Sequence, residues 1–330
     1  MTLDPEIRRL LREEGGGRPT PWGLLRALRT PRPEERRLRG AEADARRAAL
    51  LGLQVPDVDL TTLTVPVDGH PDVTVRIHRP PGADGPLPGI LSFFGGAFRQ
   101  GSNDFATNRW MHARRALDAG VAVIAVDYAL APEHRFPCQI EQGLAALGRL
   151  VAHGPELGVD PAALAVGGQS SGAAIAACVA QRNLDGPRHP LALQLLEVPG
   201  LDLTGGHADR AVLREQRIPG FLLRREVRGI GRDYLPRGVS AADPAVSPLL
   251  REDLRGLPRT VILAAEHDPL RGDAAAYHRR LRAAGVPSSA TIALGQTHDS
   301  AVLVGMLESA DHWHRAVVGA LRSLHDGNRP

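Results

Sequence analysis

The chain has 330 residues, 43% of them hydrophobic and 23% charged, which is typical of a folded globular protein with one large α/β domain or two ordinary ones. The formal net charge is only +3, and the sequence contains no lysine, because all 40 positions counted as Lys or Arg are arginine. The absence of an ε-amine excludes Walker phosphate loops, kinase ATP sites, pyridoxal phosphate Schiff bases and Ser-Lys dyads.

The first 50 residues are rich in arginine and predict two or three charged amphipathic helices, broken at residues 15–17 and at several prolines. Their arginines alternate with glutamates, which favours solvated helix faces over a nucleic-acid surface. The N-terminus lacks the apolar stretch of a signal peptide, and Cys138 and Cys178 form no Cys-x-x-Cys pair. We therefore expect a cytoplasmic protein with no disulfide, no metal and no other cofactor.

The middle and C-terminal parts of the chain predict a sheet. Residues 60–67 and 73–77 predict antiparallel strands at its start. From residue 89 onward, short buried strands alternate with helical runs, which indicates βαβ units and a mostly parallel sheet with helices on both faces. The later predicted strands are residues 89–94, 121–126, 163–166, 191–198, 260–265 and 290–294, and the predicted helices are residues 108–119, 140–153, 171–182, 273–284 and 301–324.

Residues 199–244 interrupt this alternation and contain a helical period at residues 221–230. An insertion at the carboxyl ends of core strands is well placed to form a lid. We therefore predict four segments: an N-terminal helical cap segment (residues 1–50), a first core part (51–200), an inserted cap segment (201–245) and a second core part (246–330).

The run Gly168-Gln169-Ser170-Ser171-Gly172 lies between a predicted buried strand and a predicted helix. It matches Gly-x-Ser-x-Gly, in which a serine lies on a tight strand-to-helix turn and small residues two positions away relieve backbone crowding. The helix N-terminus behind the serine favours developing negative charge. We therefore predict Ser170 as a nucleophile. The same small and polar residues argue against a membrane span in the uncharged run around them.

A nucleophilic serine in this architecture is followed along the chain by an acid and then by a histidine, each after a later strand. Asp268 follows the predicted strand that ends at residue 265, and His298 follows the predicted strand that ends at residue 294. Their order and spacing favour Ser170, Asp268 and His298 as a catalytic triad. The alternatives near strand ends are Glu266 or Asp273 as the acid and His267 or His134 as the base.

A glycine-rich loop, which includes Gly95, Gly96 and Ala97, follows the first strand of the alternating series. Such a loop can present backbone N–H groups to the oxyanion of a tetrahedral intermediate. An ordinary strand-end turn is the other interpretation. The position of the loop, two βα units before Ser170, favours an oxyanion hole.

These motifs resemble the bacterial branch of the hormone-sensitive-lipase family of α/β-hydrolase esterases, the α/β-hydrolase fold-3 group, over most of residues 60–324. The resemblance implies a mostly parallel central sheet with helices on both faces and a helical cap. It also implies that Ser170 is the nucleophile, Asp268 the orienting acid and His298 the base. The implied oxyanion-hole residues are Gly95, Gly96, Ala97 and Ser171. The matching segments are residues 91–102, 126–137, 168–172, 247–250, 266–271 and 285–287.

Three positions depart from the family pattern. Phe94 stands where the family usually has histidine, Gln169 stands where it has an acidic or small residue, and Asp299 follows the triad histidine where glycine is common. Because the hole uses backbone donors, Phe94 removes a side-chain hydrogen bond that would pin the loop but leaves the donors in place. We predict a substrate pocket that includes Phe94, Phe98, Gln169, Phe221 and Leu222.

The sequence therefore predicts a serine carboxylic-ester hydrolase that forms an acyl-enzyme on a small or medium, largely apolar ester. A neutral imidazole base predicts activity that rises through about pH 6–7. The departures favour, as an alternative, a lactonase, acyltransferase, dehydratase or cyclase for one dedicated metabolite; a non-catalytic ligand-binding relative is a more remote alternative. The expected partner is a small-molecule ester or lactone, with no nucleic acid and no membrane span, and we expect a monomer or homodimer.

Overall fold

Eight strands form a single sheet in residues 3–13 and 31–326, the part of the chain that the computed structural model describes. They are β1 (Asp59–Val65), β2 (Val73–Arg79), β3 (Leu87–Phe93), β4 (Ala122–Asp127), β5 (Val159–Gln169), β6 (Leu193–Glu197), β7 (Thr260–Ala265) and β8 (Ser288–Ala293). Their order in the sheet is β1-β2-β4-β3-β5-β6-β7-β8. β2 pairs antiparallel with both β1 and β4, and the other neighbours are parallel.

Helices cover both faces of this sheet. In the described residues they are α1 (Pro5–Glu13), α2 (Pro33–Leu50), α3 (Ala106–Ala119), α4 (Cys138–His153), α5 (Ser171–Asp185), α6 (Arg210–Glu215), α7 (Gly220–Tyr234), α8 (Arg271–Ala283) and α9 (Glu308–Arg322). Helices α4, α5 and α8 share a hydrophobic cluster with one set of strand residues, and α3 and α9 share a second cluster with the alternate set. Because alternate residues of a strand face opposite ways, the two clusters lie on opposite faces.

The predicted mostly parallel sheet, with antiparallel strands at its start and helices on both faces, is confirmed. The predicted helix over residues 301–324 is wrong in its first part. Residues Ser300–Val302 form a short 3-10 turn, and the α-helix begins only at Glu308. Gly305 has a φ of 83°, a left-handed conformation that a continuous right-handed helix does not allow.

The helices of the two predicted cap segments contact each other beside the loop that follows β3. Helices α6 and α7 lie in the insertion between β6 and β7, and α2 precedes the sheet. Arg36 Nη2 of α2 lies 3.3 Å from Asp233 Oδ2 of α7, and Arg99 Nη1 lies 3.4 Å from the same oxygen. The division into core and cap segments stays a prediction. The predicted break at residues 15–17 lies outside the described residues.

Cys138 and Cys178 are buried free thiols, and burial raises the pKa of Cys178 to about 12. Across residues 3–13 and 31–326, none of the helices combines the length and the apolar character that crossing a membrane requires. The same residues contain no group of three or more His, Cys, Asp or Glu side chains arranged to hold a metal ion.

A pair of buried histidines joins β2 to α3. His78 is 5% exposed and His112 is 2% exposed, and their ring centroids lie 5.4 Å apart. Burial, together with the positive charges of Arg76 and Arg109, lowers the pKa of His78 to about 4. Burial also lowers the pKa of His112 well below its ordinary value. Both rings are therefore neutral in the folded protein at neutral pH.

Acid should destabilise the fold through these rings. Because the pKa of His78 is lower in the folded than in the unfolded chain, its contribution to stability is fully present above about pH 6.5 and is lost as pH falls toward about 4. This difference corresponds to about 3 kcal/mol. We expect the urea midpoint to fall between pH 7.5 and pH 4.5, and to fall less in His78→Gln.

The exposed His312 offers a matched control. His312→Gln should keep the wild-type dependence of the urea midpoint on pH. An equal fall of the midpoint in wild type and His78→Gln would contradict the prediction.

Candidate active site

Ser170 lies at the turn between β5 and α5, with a φ of 54° and a ψ of −119°. A positive φ is uncommon for a residue that carries a Cβ, and it stores backbone strain. The Ser170 N–H donates to the carbonyl oxygen of Glu197 at 2.9 Å, and the Ser170 carbonyl accepts the N–H of Ala173 at 3.1 Å. The neighbouring strand and the first turn of α5 therefore hold the backbone that carries the Ser170 hydroxyl.

The two glycines of the motif are required because backbones approach closely at this turn. A Cβ placed on Gly168 would lie 2.5 Å from the carbonyl oxygen of Phe93, and a Cβ on Gly172 would lie 2.1 Å from the same oxygen. Both distances are shorter than a van der Waals contact allows, so either side chain would push β3 away from the turn that carries Ser170. The Gly-x-Ser-x-Gly spacing thus has a steric cause here.

Asp268 and His298 lie side by side after β7 and β8. His298 Nδ1 lies 2.6 Å from Asp268 Oδ2. The other oxygen of Asp268 accepts the N–H of Leu270 at 2.9 Å, and Asp268 is only 2% exposed. The Asp268 carboxylate is therefore fixed from both sides and orients the imidazole.

In the part of the chain that the structure describes, the alternative acids and bases do not form an acid–histidine hydrogen bond of the kind that joins Asp268 to His298. Glu266 accepts the N–H of Gly295 at 2.7 Å, and Asp273 accepts two backbone N–H groups at 2.8 and 3.0 Å. His267 Nε2 lies 3.6 Å from the nearest Glu266 oxygen, beyond hydrogen-bond range, and His134 is exposed. The hydrogen bond between Asp268 and His298 therefore favours the pair that the sequence predicted over these alternatives.

A cavity of about 440 Å³ brings Ser170 and His298 to the same space. Its wall comes from α2, the glycine-rich loop, the start of α3, the elbow at Ser170, the end of β6 and the loop that carries His298. Gly95, Gly96 and Ala97 also line it. The predicted nucleophile, the predicted base and the predicted oxyanion loop thus share one cavity.

The loop residues carry backbone N–H groups that are free to bind an anion. Gly96 has a φ of 137° and Ala97 a φ of 53°, and Ser171 is the first residue of α5. Among the described residues, the N–H groups of Gly96, Ala97 and Ser171 have no hydrogen-bond acceptor. A Cβ on Gly95 would lie 3.3 Å from the Cβ of Ser170, so the loop lies directly against the elbow. This arrangement suits an oxyanion.

Tyr128 braces the loop where Phe94 replaces the family's histidine. The Tyr128 hydroxyl donates to the carbonyl oxygen of Phe94 at 2.8 Å, and the two rings stack with centroids 4.2 Å apart. The Phe98 N–H donates to Ser171 Oγ at 3.2 Å and ties the far end of the loop to α5. Other contacts thus pin the loop in place of the missing imidazole.

Known proteins are similar in sequence to this chain. Residues 90–302 match the family described as alpha/beta hydrolase fold. The chain is 34% identical over 287 residues to the carboxylesterase NlhH of Mycobacterium tuberculosis, covering 82% of this chain and 85% of the relative. It is 33% identical over 333 residues to an ethyl acetate hydrolase of Pseudomonas putida, covering 98% and 99%. The chain belongs to the hormone-sensitive-lipase family of α/β-hydrolase esterases.

A solved structure of an esterase has the same fold. The esterase of Pyrobaculum calidifontis superposes with a TM-score of 0.83 at 26% identity, covering 98% of this chain and 99% of that chain. The fold and the enzyme class that the sequence predicted are confirmed. The chain is an α/β-hydrolase and an ester hydrolase of the carboxylesterase class.

The five residues predicted to form the substrate pocket have different surroundings in the structure. Of these five, Gln169 lines the cavity that holds Ser170. Phe94 and Phe98 are 4% and 3% exposed and pack in the core, where Phe98 stacks on Tyr234. Phe221 is 54% exposed on α7, and Leu222 is half-buried beside it. Neither of these two lines the cavity, because α2 rather than α7 lies over this part of the loop.

Several cavity residues carry no motif, and the sequence did not single them out. Asp44 of α2 accepts the N–H groups of Ala106 and Thr107 at 2.7 and 3.3 Å, and so caps the N-terminus of α3. Glu197 and Trp313 line the cavity from the end of β6 and from α9. Of these residues, only Glu197 gives a signal in the sequence, because it is an acidic residue within an otherwise buried strand.

His298 has a strongly shifted pKa. Burial lowers it, but the hydrogen bond that His298 donates to Asp268 and the negative charges of Asp268 and Asp299 outweigh that effect and raise the pKa of His298 to about 9. The imidazole is a base only when neutral. Activity should therefore rise with pH toward about 9, which is above the pH 6–7 range that an unshifted imidazole would give.

Replacing Asp299 should move this profile. Asp299→Asn removes one of the charges that stabilise the protonated imidazole. We therefore expect the rise of kcat/KM with increasing pH, which follows deprotonation of His298, to occur at lower pH. Activity at pH 7 should increase about two- to fivefold. The measurement is kcat/KM on a p-nitrophenyl ester between pH 5 and 10.

The exposed Asp84, on the turn between β2 and β3, offers a control. Asp84→Asn should leave the profile where it is. A profile of Asp299→Asn that coincides with the wild type, or that moves to higher pH, would show that Asp299 does not tune His298.

Proposed function

We propose that this esterase is a serine carboxylic-ester hydrolase that works through an acyl-enzyme. In this proposal Ser170 is the nucleophile, His298 the base and Asp268 the group that orients the base. Asp268 faces Nδ1 of His298 at 2.6 Å, so Nδ1 carries the proton and Nε2 is left to accept one. The observation that carries the proposal is the hydrogen-bonded Asp268–His298 pair at a cavity shared with the strained Ser170.

The reaction follows from these groups. His298 Nε2 takes the proton of Ser170 as the hydroxyl oxygen attacks the ester carbonyl carbon. The N–H groups of Gly96, Ala97 and Ser171 stabilise the oxyanion that forms. The tetrahedral intermediate collapses as His298 gives its proton to the leaving alcohol, and water, activated by the same imidazole, then releases the acid from Ser170.

The size of the cavity supports a small or medium ester. About 440 Å³ falls in the lower part of the range for small-molecule sites. Met111, Val198 and Trp313 give it apolar wall area. Ethyl acetate is the substrate in the printed name of the Pseudomonas relative, and we propose esters of similar short chain length for this protein.

The alternative of a lactonase, acyltransferase, dehydratase or cyclase rested on Phe94 and Asp299. The brace of Phe94 by Tyr128 gives the first departure a structural role, since the loop is held without the histidine. The second departure, Asp299, has an effect of its own, because its negative charge raises the pKa of His298. Neither departure therefore requires a different reaction.

Ser170→Ala should abolish hydrolysis of p-nitrophenyl butyrate, because no other hydroxyl is proposed to attack the carbonyl. We expect kcat to fall by about 10⁴-fold or more. A fluorophosphonate probe should label the wild type and not the variant, with labelling read by intact-protein mass spectrometry.

Ser240 is an exposed serine and provides the matched control. Ser240→Ala should keep both hydrolysis and labelling. Retained turnover and retained labelling in Ser170→Ala would sink the proposal.

A further inference from the structure

A buried carboxylate at the carboxyl end of β6 lies beside the proposed nucleophile but outside the proposed triad. Glu197 is 1% exposed, and its backbone carbonyl accepts the N–H of Ser170 at 2.9 Å. On the same face of β6, Leu193 and Leu195 pack in the apolar cluster shared with α3 and α9. A third apolar residue would suit that face, so packing does not explain a carboxylate at this position.

One oxygen of this carboxylate is held by two donors. Arg115 Nη2 of α3 donates to Glu197 Oε2 at 2.8 Å, and Trp313 Nε1 of α9 donates to the same oxygen at 2.6 Å. The guanidinium compensates the charge, and the two donors fix the plane of the carboxylate. The other oxygen, Oε1, is buried and has no hydrogen-bond partner among the described residues.

An unpaired buried oxygen is unfavourable, because it has lost water without gaining a donor. The ion pair with Arg115 does not explain its presence either, since apolar residues of similar volume commonly replace buried ion pairs without loss of stability. Glu197 and Trp313 both line the cavity that contains Ser170 and His298. Because Glu197 forms part of this wall, a molecule bound in the cavity is the source of a donor for Oε1 that the structure offers.

We propose that Glu197 is a specificity-determining residue whose Oε1 accepts a hydrogen bond from a hydroxyl group of the ester substrate. The inference rests on the proposed function, because it assumes that the ester is bound at Ser170. Since Arg115 already compensates the charge of Glu197, the site suits a neutral hydroxyl better than a cation. The substrate class is a short hydroxyl-bearing ester.

Pairs of nearly isosteric esters isolate this hydrogen bond. Ethyl 3-hydroxybutyrate offers a donor on the acyl side, and ethyl acetoacetate offers only an acceptor at the same carbon. On the alcohol side, 2-hydroxypropyl butyrate and 2-oxopropyl butyrate form the corresponding pair. We define the preference as the ratio of kcat/KM for the hydroxyl ester to that for the keto ester in each pair.

Glu197→Gln changes the group that faces the donor without changing its shape. The amide oxygen can still accept from Arg115 and Trp313, which leaves the amide NH₂ in place of Oε1. The hydroxyl ester can pair with either group, whereas the keto ester can pair only with the NH₂. We expect the preference in one of the two pairs to fall about tenfold or more relative to wild type.

Intrinsic differences in reactivity between the esters cancel when variant and wild type are compared. A residue that only braced the elbow at Ser170 would lower kcat/KM for both esters of a pair equally and leave the preference unchanged. An unchanged preference in both pairs would overturn the proposal. If Glu197→Gln does not fold, Glu197→Met combined with Arg115→Met removes the acceptor together with its cation, and the same fall in preference is expected.

Hydrolysis of p-nitrophenyl butyrate by the same preparations separates the two proposals. A wild type that hydrolyses neither this ester nor the matched pairs contradicts the proposed function itself. A wild type that hydrolyses it through Ser170, with preferences that Glu197→Gln does not change, contradicts only the role of Glu197. Glu141→Gln, at a half-buried residue of α4, is the control and should keep the wild-type preferences.

Discussion

The contact between the end of β3 and the turn at Ser170 is the constraint on which the active site depends. The carbonyl oxygen of Phe93 lies so close to Gly168 and Gly172 that neither position has room for a side chain. This close approach brings the loop after β3 against the elbow, where a Cβ on Gly95 would lie 3.3 Å from the Cβ of Ser170. The same backbone contact therefore brings together the proposed nucleophile and the proposed oxyanion donors, and the contacts of Tyr128 and Ser171 hold the loop there.

The parallel strand ends extend this constraint to the rest of the site. The Ser170 N–H donates to the Glu197 carbonyl, the next residue, Val198, donates to Leu263 of β7 at 2.7 Å, and Glu266 donates to Ala293 of β8 at 3.0 Å. Because parallel strands end at one edge of the sheet, these bonds join the elbow, the Asp268 loop and the His298 loop in register. This register brings Asp268 and His298, which are 30 positions apart, within 2.6 Å of each other.

The parts of the site that could be predicted from the sequence are those with a local backbone requirement. Gly168 and Gly172 flank Ser170 because backbones crowd at a tight strand-to-helix turn, and the chain order of Asp268 and His298 follows from where strands end. The prediction of a helix over residues 301–324 is wrong in its first part because of a local backbone feature, which hydrophobic periodicity does not show. A left-handed Gly305 interrupts an otherwise apolar and helix-like run.

The wall of the cavity could not be predicted, because it depends on which distant elements meet. The aromatic side chains of Phe94 and Phe98 suggested a pocket, yet both find partners in the core, on Tyr128 and Tyr234. Asp44 reaches the site only because α2 packs against the start of α3, an interaction between residues 62 positions apart. No period or motif in the sequence reports such a contact.

Glu197 shows the same limit most clearly. It lies inside the predicted buried strand at residues 191–198, where an acidic residue conflicts with the pattern. Its donors, Arg115 and Trp313, lie 82 and 116 residues away in the chain. The sequence therefore shows an acidic residue in a buried strand but not the groups that bind it. Positions that break a local rule in an otherwise consistent strand are where function is expected. Glu197 is such a position, and our proposal assigns substrate selection to β6 rather than to the helices of the predicted cap.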